Sequence, residues 1–128
     1  MAVRTYLTTA DDEVAEGTSC VLSFVVQDED GVALADTDLT TLTVTLYNKA
    51  TGAIINSRTD VDILNDNNGT VDGSGNGTWK ALPADNPILA TGRSREEHVA
   101  YFEWTWNAGA DAGGHEVIFT VVNLLKET

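Results

Sequence analysis

The sequence has few of the residues that stabilise exported mini-domains or bind nucleic acids. Its 128 residues include one cysteine, Cys20, so no intramolecular disulfide can form. Seven lysines and arginines stand against twenty aspartates and glutamates, which gives a formal net charge of -13. Because DNA and RNA are bound by basic surfaces that neutralise phosphates, this balance argues against a nucleic-acid partner and against an anionic membrane surface.

Long apolar runs are also missing. No stretch approaches the ~20 apolar residues of a membrane-spanning helix. The N-terminal sequence MAVRTYLTTADDEVAEG lacks the apolar centre of a signal peptide and becomes acidic at Asp11. We therefore expect synthesis in a cytoplasm without export by an N-terminal signal. The length fits one domain with one core, and Cys20 is expected to act there as a small buried hydrophobe.

Apolar and polar residues alternate with period two through most of the chain, which indicates β-strands with one buried face. The predicted buried faces are Cys20, Leu22, Phe24 and Val26 on one strand, and Leu42, Val44 and Leu46 on another. Turn sequences rich in Asp, Asn and Gly separate seven to eight such strands, a pattern typical of a Greek-key β-sandwich. We predict an N-terminal strand or arm over residues 1–17 and one sandwich domain over residues 18–128.

Three segments give more local predictions. TDVDILND predicts one helical turn, capped by Thr59 or Asp60. AIINSR is predicted to pair with the strand before it, across the turn KATG. The glycine-rich run 72–77 is predicted to be the tip of a hairpin.

The most apolar segment is HVAYFEWTWNAGADAGGHEVIFTVVNL near the C-terminus. It predicts a hairpin with strands over about residues 98–107 and 116–124, joined by residues 107–114. One predicted face carries Ala100, Phe102, Trp104 and Trp106 on the first strand and Val117, Phe119 and Val121 on the second. Since the other face also carries apolar side chains, the hairpin should be central in its sheet, or that face should meet another subunit.

Little in the sequence indicates catalysis. His98 and His115 are not accompanied by a serine or cysteine nucleophile in a recognisable motif, so we interpret them as exposed histidines at strand ends. We therefore expect that the protein is not an enzyme. Oxygen donors at Asp66, Asn68 and Asp72 form a weak candidate calcium site, although such residues are also those that turns require. No other cofactor is predicted.

Two segments carry a family resemblance. The final hairpin is similar to the closing strands of bacterial and phage immunoglobulin-like domains, and LYNKATGAIINSR…TVDGSGNGTWKALPADNPIL resembles small immunoglobulin-like virion proteins of tailed bacteriophages. The resemblance covers roughly residues 18–124. It implies an immunoglobulin-like Greek-key β-sandwich in a virion structural protein, assembled in the host cytoplasm and carrying no catalytic residues.

The leading hypothesis is a capsid decoration or cement protein that docks on major capsid or other virion proteins. A head–tail connector or tail accessory protein is the alternative within this class, and a homo-oligomer is expected, with a trimer as one candidate. A carbohydrate- or cell-surface-binding module is the rival, and it requires exposed tryptophans among Trp79, Trp104 and Trp106. The predicted interface residues are Val3, Tyr6, Leu7, Tyr101 and Trp106.

Overall fold

A computed structural model describes residues 6–7, 13–89 and 92–123, with only the backbone described at 6–7. Nearly all regular structure in these ranges is β-strand. The strands are β1 (Tyr6–Leu7), β2 (Glu13–Ala15), β3 (Cys20–Val25), β4 (Leu39–Asn48), β5 (Val61–Asp62), β6 (Gly69–Val71), β7 (Asn76–Ala81), β8 (Arg95–Trp106) and β9 (Asp111–Val122). Two short 3-10 turns, Asp36–Asp38 and Pro83–Asp85, precede β4 and β8.

The strands form two sheets. One has four strands in the order β1-β3-β7-β6, and the other has five in the order β2-β9-β8-β4-β5. Neighbouring strands are antiparallel, except that β1 runs parallel to β3 and β2 runs parallel to β9. The predicted all-β sandwich is therefore confirmed.

The core lies between the two sheets and is formed by the alternating residues that the sequence predicts. The buried faces of β3, β4, β8 and β9 all contribute to one cluster of side chains. Aromatic rings join the sheets: Phe24 of β3 stacks on Phe102 of β8 with ring centroids 4.0 Å apart, and Trp79 of β7 meets Phe102 edge-on at 6.3 Å. Such pairs add to the stabilisation that burial alone gives.

The N-terminal strand contributes to both sheets. The backbone of β1 pairs with β3, whereas β2 pairs with the edge of β9. Val14 of β2 is 1% exposed and belongs to the core cluster. Within the predicted arm of residues 1–17, the described residues 13–15 are thus part of the sandwich itself.

The last hairpin is longer than predicted, and its connection is shorter. Strand β9 begins at Asp111, and residues 107–110 alone form the turn, with Asn107 and Ala108 in the left-handed region. The prediction that Gly113 and Gly114 belong to the connecting loop is wrong, because both lie in β9. A Cβ at either position would collide with an aromatic ring, Trp104 above Gly113 and Tyr101 above Gly114. These strand glycines make room for the rings of β8.

The helical turn predicted around residues 59–66 is also wrong. Val61 and Asp62 form β5 and pair with β4, and Ile63 is fully buried. Packing against the sheet therefore prevails over a weak local helix signal. The predicted return strand at residues 53–58 is reduced to one isolated bridge between Tyr47 and Ile54.

The two ends of the sandwich are defined by β8, the strand that spans it. The last residues of β4 lie beside the start of β8, near Arg95. The first residues of β4 and of β9 lie beside the end of β8, near Trp106. Because a strand rises about 3.3 Å per residue, twelve residues separate the ends by about 36 Å. We refer to these as the Arg95 end and the Trp106 end.

Candidate functional site

Each end of the sandwich carries a surface groove. At the Arg95 end, a groove of ≈ 630 Å³ lies between the β4–β5 connection and the start of β8, and we call it the basic groove. At the Trp106 end, a groove of ≈ 440 Å³ lies between the end of β3 and the β8–β9 hairpin, and we call it the tryptophan groove. Both are open clefts of a size that can accept a side chain, a turn or a small ligand.

The basic groove collects cations in a strongly acidic protein. Lys49, Arg93 and Arg95 line it together with Glu96 and Glu97. The Lys49 ammonium lies 3.7 Å from the carboxylate of Glu97, and both side chains are about half exposed. Solvent-exposed pairs of this kind contribute little to stability, so these charges remain available to a partner.

Below this groove, a buried pair links β8 to the preceding loop. His98 is fully buried, and its Nε2 lies 2.7 Å from Oε1 of Glu96. The backbone N–H of Leu89 donates to both oxygens of Glu96. A carboxylate that accepts these bonds is most stable when ionised, so Nε2 of the imidazole carries the proton it donates.

The other ring nitrogen of His98 determines its charge state. Nδ1 is buried and has no hydrogen-bond partner among the described residues. Burial lowers the pKa of His98 below its ordinary value of 6.5, although the hydrogen bond and the charge of Glu96 act in the opposite direction. The neutral imidazole is therefore favoured in the folded protein at neutral pH. The prediction that His98 is an exposed strand-end residue is wrong, because even-numbered positions of β8 face the core.

Acidification should destabilise the fold through this histidine. Its folded pKa lies below its unfolded value of about 6.5, so the unfolded chain binds the extra proton first and unfolding becomes easier as pH falls through that window. We expect the free energy of unfolding to fall by at most about 1.4 kcal/mol per pH unit for each such histidine as the pH falls below about 6.5. Urea unfolding at several pH values measures this slope.

The variants His98→Gln and His115→Gln separate the two contributions. Burial also lowers the pKa of His115, which is only half-buried and accepts a 3.4 Å hydrogen bond from the backbone N–H of Val25. The slope should therefore flatten more in His98→Gln than in His115→Gln. An unchanged slope in His98→Gln would contradict the assignment.

A second buried ionic pair lies at the same end. The Nε and an Nη of Arg58 donate to the two carboxylate oxygens of Asp85, at 2.8 and 3.2 Å. Asp85 is fully buried and also accepts hydrogen bonds from the Asn56 side chain and the Leu82 backbone. The guanidinium group lies 5.6 Å from the ring centroid of Trp79. Every acceptor direction of this carboxylate is used within the chain, so the pair is structural.

Cys20 lies beside this pair. Its burial confirms the prediction that it acts as a small hydrophobic residue of the core. It is 1% exposed, and the side-chain amide of Asn86 donates to its sulfur at 3.5 Å. Burial raises the pKa of the thiol to about 11. The thiol therefore stays protonated and unreactive at neutral pH.

The three tryptophans differ in accessibility. Trp79 is fully buried, and Trp104 is 3% exposed with its Nε1 donating to the backbone carbonyl of Gln27 at 3.0 Å. Trp106 is half-buried and lines the tryptophan groove beside Asp28, Glu29 and His115. Trp79 and Trp104 are therefore core residues, and of the three tryptophans only Trp106 presents part of its ring.

The predicted interface residues do not form one surface. Val3 lies outside the described residues, and Tyr6 and Leu7 are described only as the backbone of β1. Tyr101 lies on the outer face of the five-stranded sheet, whereas Trp106 lies on the core-facing side of the same strand. Five residues of strand separate them by about 17 Å.

The outer face around Tyr101 carries aromatic, aliphatic, hydroxyl and acidic side chains. Tyr101 pairs with Glu116 across to β9 and with Thr45 on β4, and Val99 and Ile118 form the next row beside Tyr47. The hydroxyl of Tyr47 donates to Glu116 at 3.2 Å. Burial and the neighbouring carboxylates of Glu103 and Glu116 raise the pKa of Tyr101. Two tyrosines ringed by threonines and carboxylates thus occupy the centre of this sheet.

The candidate calcium ligands are engaged in local turns. Oδ1 of Asp72 accepts the backbone N–H groups of Ser74 and Asn76 at 2.8 and 3.0 Å, and these bonds lower the pKa of its carboxyl. Oδ1 of Asp66 accepts the backbone N–H of Asn67, and Asn68 adopts a positive φ of 71°. Within the described ranges, no three His, Cys, Asp or Glu side chains group closely enough to hold a metal ion.

Neither buried pair was anticipated from the sequence. Arg58 and Asp85 are far apart in the chain and carry no motif. Glu96 and His98 did leave a signal, because two polar residues two apart occupy the apolar face of β8. Polar residues at buried strand positions normally require partners, and these two are partners of each other.

Comparison with known proteins identifies no relative of this chain. No family model, no curated protein and no solved structure matches this chain. Within residues 6–7, 13–89 and 92–123, no helix is long and apolar enough to cross a membrane. Function must therefore be argued from the described surfaces.

Proposed function

We propose that this protein is a bacteriophage virion structural protein, a capsid decoration or cement protein that docks on the capsid surface through the outer face of its five-stranded sheet. The observation that carries the proposal is the composition of that face. Tyr47 and Tyr101, both partly exposed, lie in adjacent rows with Ile118 beside them and threonines around them, while Val99 on the same face is only 2% exposed. Tyrosine is one of the residue types that are enriched at protein interfaces and among their energetically important residues.

The strand order supports the immunoglobulin-like part of the proposal. Immunoglobulin-type sandwiches place their first, second, fifth and fourth strands in one sheet and the remaining strands in the other. Here β1-β3-β7-β6 follows that order, and β9-β8-β4 with the short edge strand β5 forms the second sheet. The parallel pairing of β1 with β3 departs from it, since a first strand there normally runs antiparallel.

The charge of the chain supports an exterior location on a particle. A net charge of -13 keeps a protein soluble and repels packaged nucleic acid. A protein on the outside of a capsid must bind other proteins in the presence of DNA without trapping it. A head–tail or tail accessory role uses the same surface and the same charge.

The proposal is tested with particles assembled with and without this protein. We expect particles that lack it to lose a layer of surface density in electron micrographs and to disrupt at lower temperature. Tyr101→Ala should weaken binding to such particles about tenfold, because it removes an aromatic side chain from the centre of the interface. Thr78→Ala, on the outer face of the four-stranded sheet, is the matched control and should bind normally. Bare particles of unchanged outline and stability would refute the proposal.

The tryptophan groove favours a carbohydrate-binding module as the second candidate. The partly exposed ring of Trp106 lies in one cleft with the carboxylates of Asp28 and Glu29 and the imidazole of His115. Sugars stack on aromatic rings and donate hydroxyl hydrogen bonds to carboxylates. Glycan binding that Trp106→Ala abolishes and Tyr101→Ala leaves intact would favour this candidate over capsid docking.

A further inference from the structure

The described lysines and arginines lie toward one end of the sandwich, whereas acidic side chains occur at both ends. All five lysines and arginines of the described residues lie toward the Arg95 end: Lys49, Arg58, Lys80, Arg93 and Arg95. The strand register requires this, because Lys49 follows the end of β4, Arg93 and Arg95 lie at the start of β8, and Lys80 lies near the end of β7 that pairs with the start of β3.

The loops at the Trp106 end carry only acidic residues among their charged side chains. They are Asp28, Glu29 and Asp30 after β3, Asp36 and Asp38 before β4, Asp72 in the β6–β7 turn and Asp111 at the start of β9. Hydrogen bonds place these loops together, since the backbone N–H of Asp36 donates to the carbonyl of Asp72 and Trp104 donates to Gln27. The sandwich therefore has one acidic end.

Two exposed carboxylates of that end lie on one turn. Oδ1 of Asp28 accepts the backbone N–H groups of Asp30 and Val32 at 2.9 and 3.0 Å and fixes the turn 28–31. The side chains of Glu29 and Asp30 are exposed and make no hydrogen bond or ion pair with described residues. The turn thus presents two unpaired negative charges on a rigid backbone.

The basic groove at the other end presents the complementary charge. Arg93 is exposed and makes no hydrogen bond or ion pair within the described part of the chain. Lys49 is held only by its exposed contact with Glu97, and Arg95 pairs with Glu13 while remaining 46% exposed. Glu96, by contrast, is buried and turned toward His98 and Leu89. Lys49 and Arg95 are paired with Glu97 and Glu13, so Arg93 gives the exposed part of the groove its net positive charge.

We propose that this protein assembles head to tail, with the 28–31 turn of one copy seated in the basic groove of the next. The two surfaces lie at opposite ends of the molecule, so the contact is heterologous and each copy uses one groove and one turn. Repetition of such a contact closes into a ring or extends into a filament, according to the rotation between copies. This inference goes beyond docking on a capsid and does not depend on it.

The overall charge of -13 does not prevent this contact at physiological ionic strength. The Debye length there is about 8 Å, far shorter than the ~36 Å between the two ends, so each groove responds to the turn that it touches and little to the distant acidic end of its own molecule. At 0.01 M salt the Debye length reaches about 30 Å and whole molecules repel, while at 1 M it is about 3 Å and the contact itself is screened. Association should therefore be strongest at intermediate salt.

Sedimentation velocity of the full chain tests the assembly. Between about 10 µM and 1 mM protein in 0.15 M NaCl, the weight-average sedimentation coefficient should rise with concentration, as expected for a weak contact with a dissociation constant in the micromolar to millimolar range. It should fall toward the monomer value at both 0.01 M and 1 M NaCl. A monomer at all concentrations would overturn the proposal.

Two charge reversals identify the surfaces. Arg93→Glu damages only the groove, and Glu29→Lys damages only the turn, so each variant alone should associate at least about tenfold more weakly than the wild type. An equimolar mixture should associate again, because the intact turn of Arg93→Glu fits the intact groove of Glu29→Lys. Lys80→Glu and Glu103→Lys make the same changes in net charge outside both surfaces and should behave as the wild type.

The mixture distinguishes this contact from other modes of association. A symmetric dimer that joins groove to groove is not weakened by Glu29→Lys, and one that joins the sheet faces is weakened by neither variant, so either result would refute the head-to-tail arrangement. Failure of the mixture to recover would refute it as well. Equal weakening by the two control variants would show that net charge alone governs association, which would also refute it. Loss of self-association leaves the capsid-binding result with Tyr101→Ala unaffected, so the two proposals fail separately.

Discussion

Replacing Asp85 by alanine should lower the free energy of unfolding by about 3–5 kcal/mol, which is the usual cost of removing one partner of a buried ion pair. The Arg58 guanidinium would keep its position above Trp79 with no counter-charge, and its side chain is only 19% exposed. The Asn56 amide and the Leu82 backbone N–H would lose their acceptor as well. Since domains of this size are stable by only about 5–15 kcal/mol, part of the sample should be unfolded at 37 °C.

The chain contains a matched control for this experiment. In the 3-10 turn Asp36–Asp38, the carboxylate of Asp38 accepts the Ala35 backbone N–H at 3.0 Å, as Asp85 accepts that of Leu82 at 2.8 Å. Asp38 is exposed and pairs with no arginine in the described part of the chain, so Asp38→Ala should have a much smaller effect on urea unfolding. Equal losses in the two variants would show that turn capping, rather than the buried ion pair, stabilises the Asp85 site.

Replacing Trp79 by alanine should cost about 3–5 kcal/mol, the range found when a large aromatic side chain is removed from a core. Trp79 is fully buried and meets Phe102 edge-on, so its loss leaves a cavity between the two sheets. It also frees the carbonyl of Asn67, which accepts its Nε1–H at 3.2 Å. Chemical denaturation followed by far-UV circular dichroism measures the loss without relying on tryptophan fluorescence.

Trp106→Ala is the control for the same change of residue. Trp106 is half-buried at the edge of the core, where solvent fills the space that the ring leaves. Its loss should cost well under half as much as that of Trp79. Similar costs at both positions would mean that the ring of Trp106 is as important to the core as that of Trp79, and would argue against its use as an exposed binding surface.

Asp85 and Trp79 lie close together in the structure. Arg58 connects them, because its guanidinium pairs with Asp85 and lies 5.6 Å from the Trp79 ring centroid. The double variant should therefore lose less stability than the sum of the single variants, since residues that share a partner are rarely additive. A double-mutant cycle measures that coupling.

Much of the fold could be predicted because alternation is a local property. The buried faces of β3 and β4 and the aromatic face of β8 were all predicted from period two. The start of β9 could not be, since Gly113 and Gly114 have the composition of a turn and become strand residues only when aromatic rings of β8 lie over them.

The site residues were less predictable for the same reason. His98 looked like an isolated strand-end residue, and only its register opposite Phe119 on a buried face gave it an interior position beside Glu96. Period two already places Trp106 and Tyr101 on opposite faces of β8, yet only the packing shows that the face with Trp106 lies toward the core. The alternation of apolar and polar residues predicts where a strand lies, whereas tertiary packing decides which of its faces is exposed to solvent.

By itself, the sequence determined the all-β class, the composition of the core and the excess of negative charge, because each depends on residue type or on spacing along one strand. Only the tertiary structure decided where the charges lie. Lys49 meets Glu97, and Arg58 meets Asp85, because the strand order brings distant segments to one end of the sandwich. The tryptophan-rich hairpin was prominent in the sequence, but the placement of the described lysines and arginines at one end of the sandwich is a product of register, which is fixed when the two buried faces pack together.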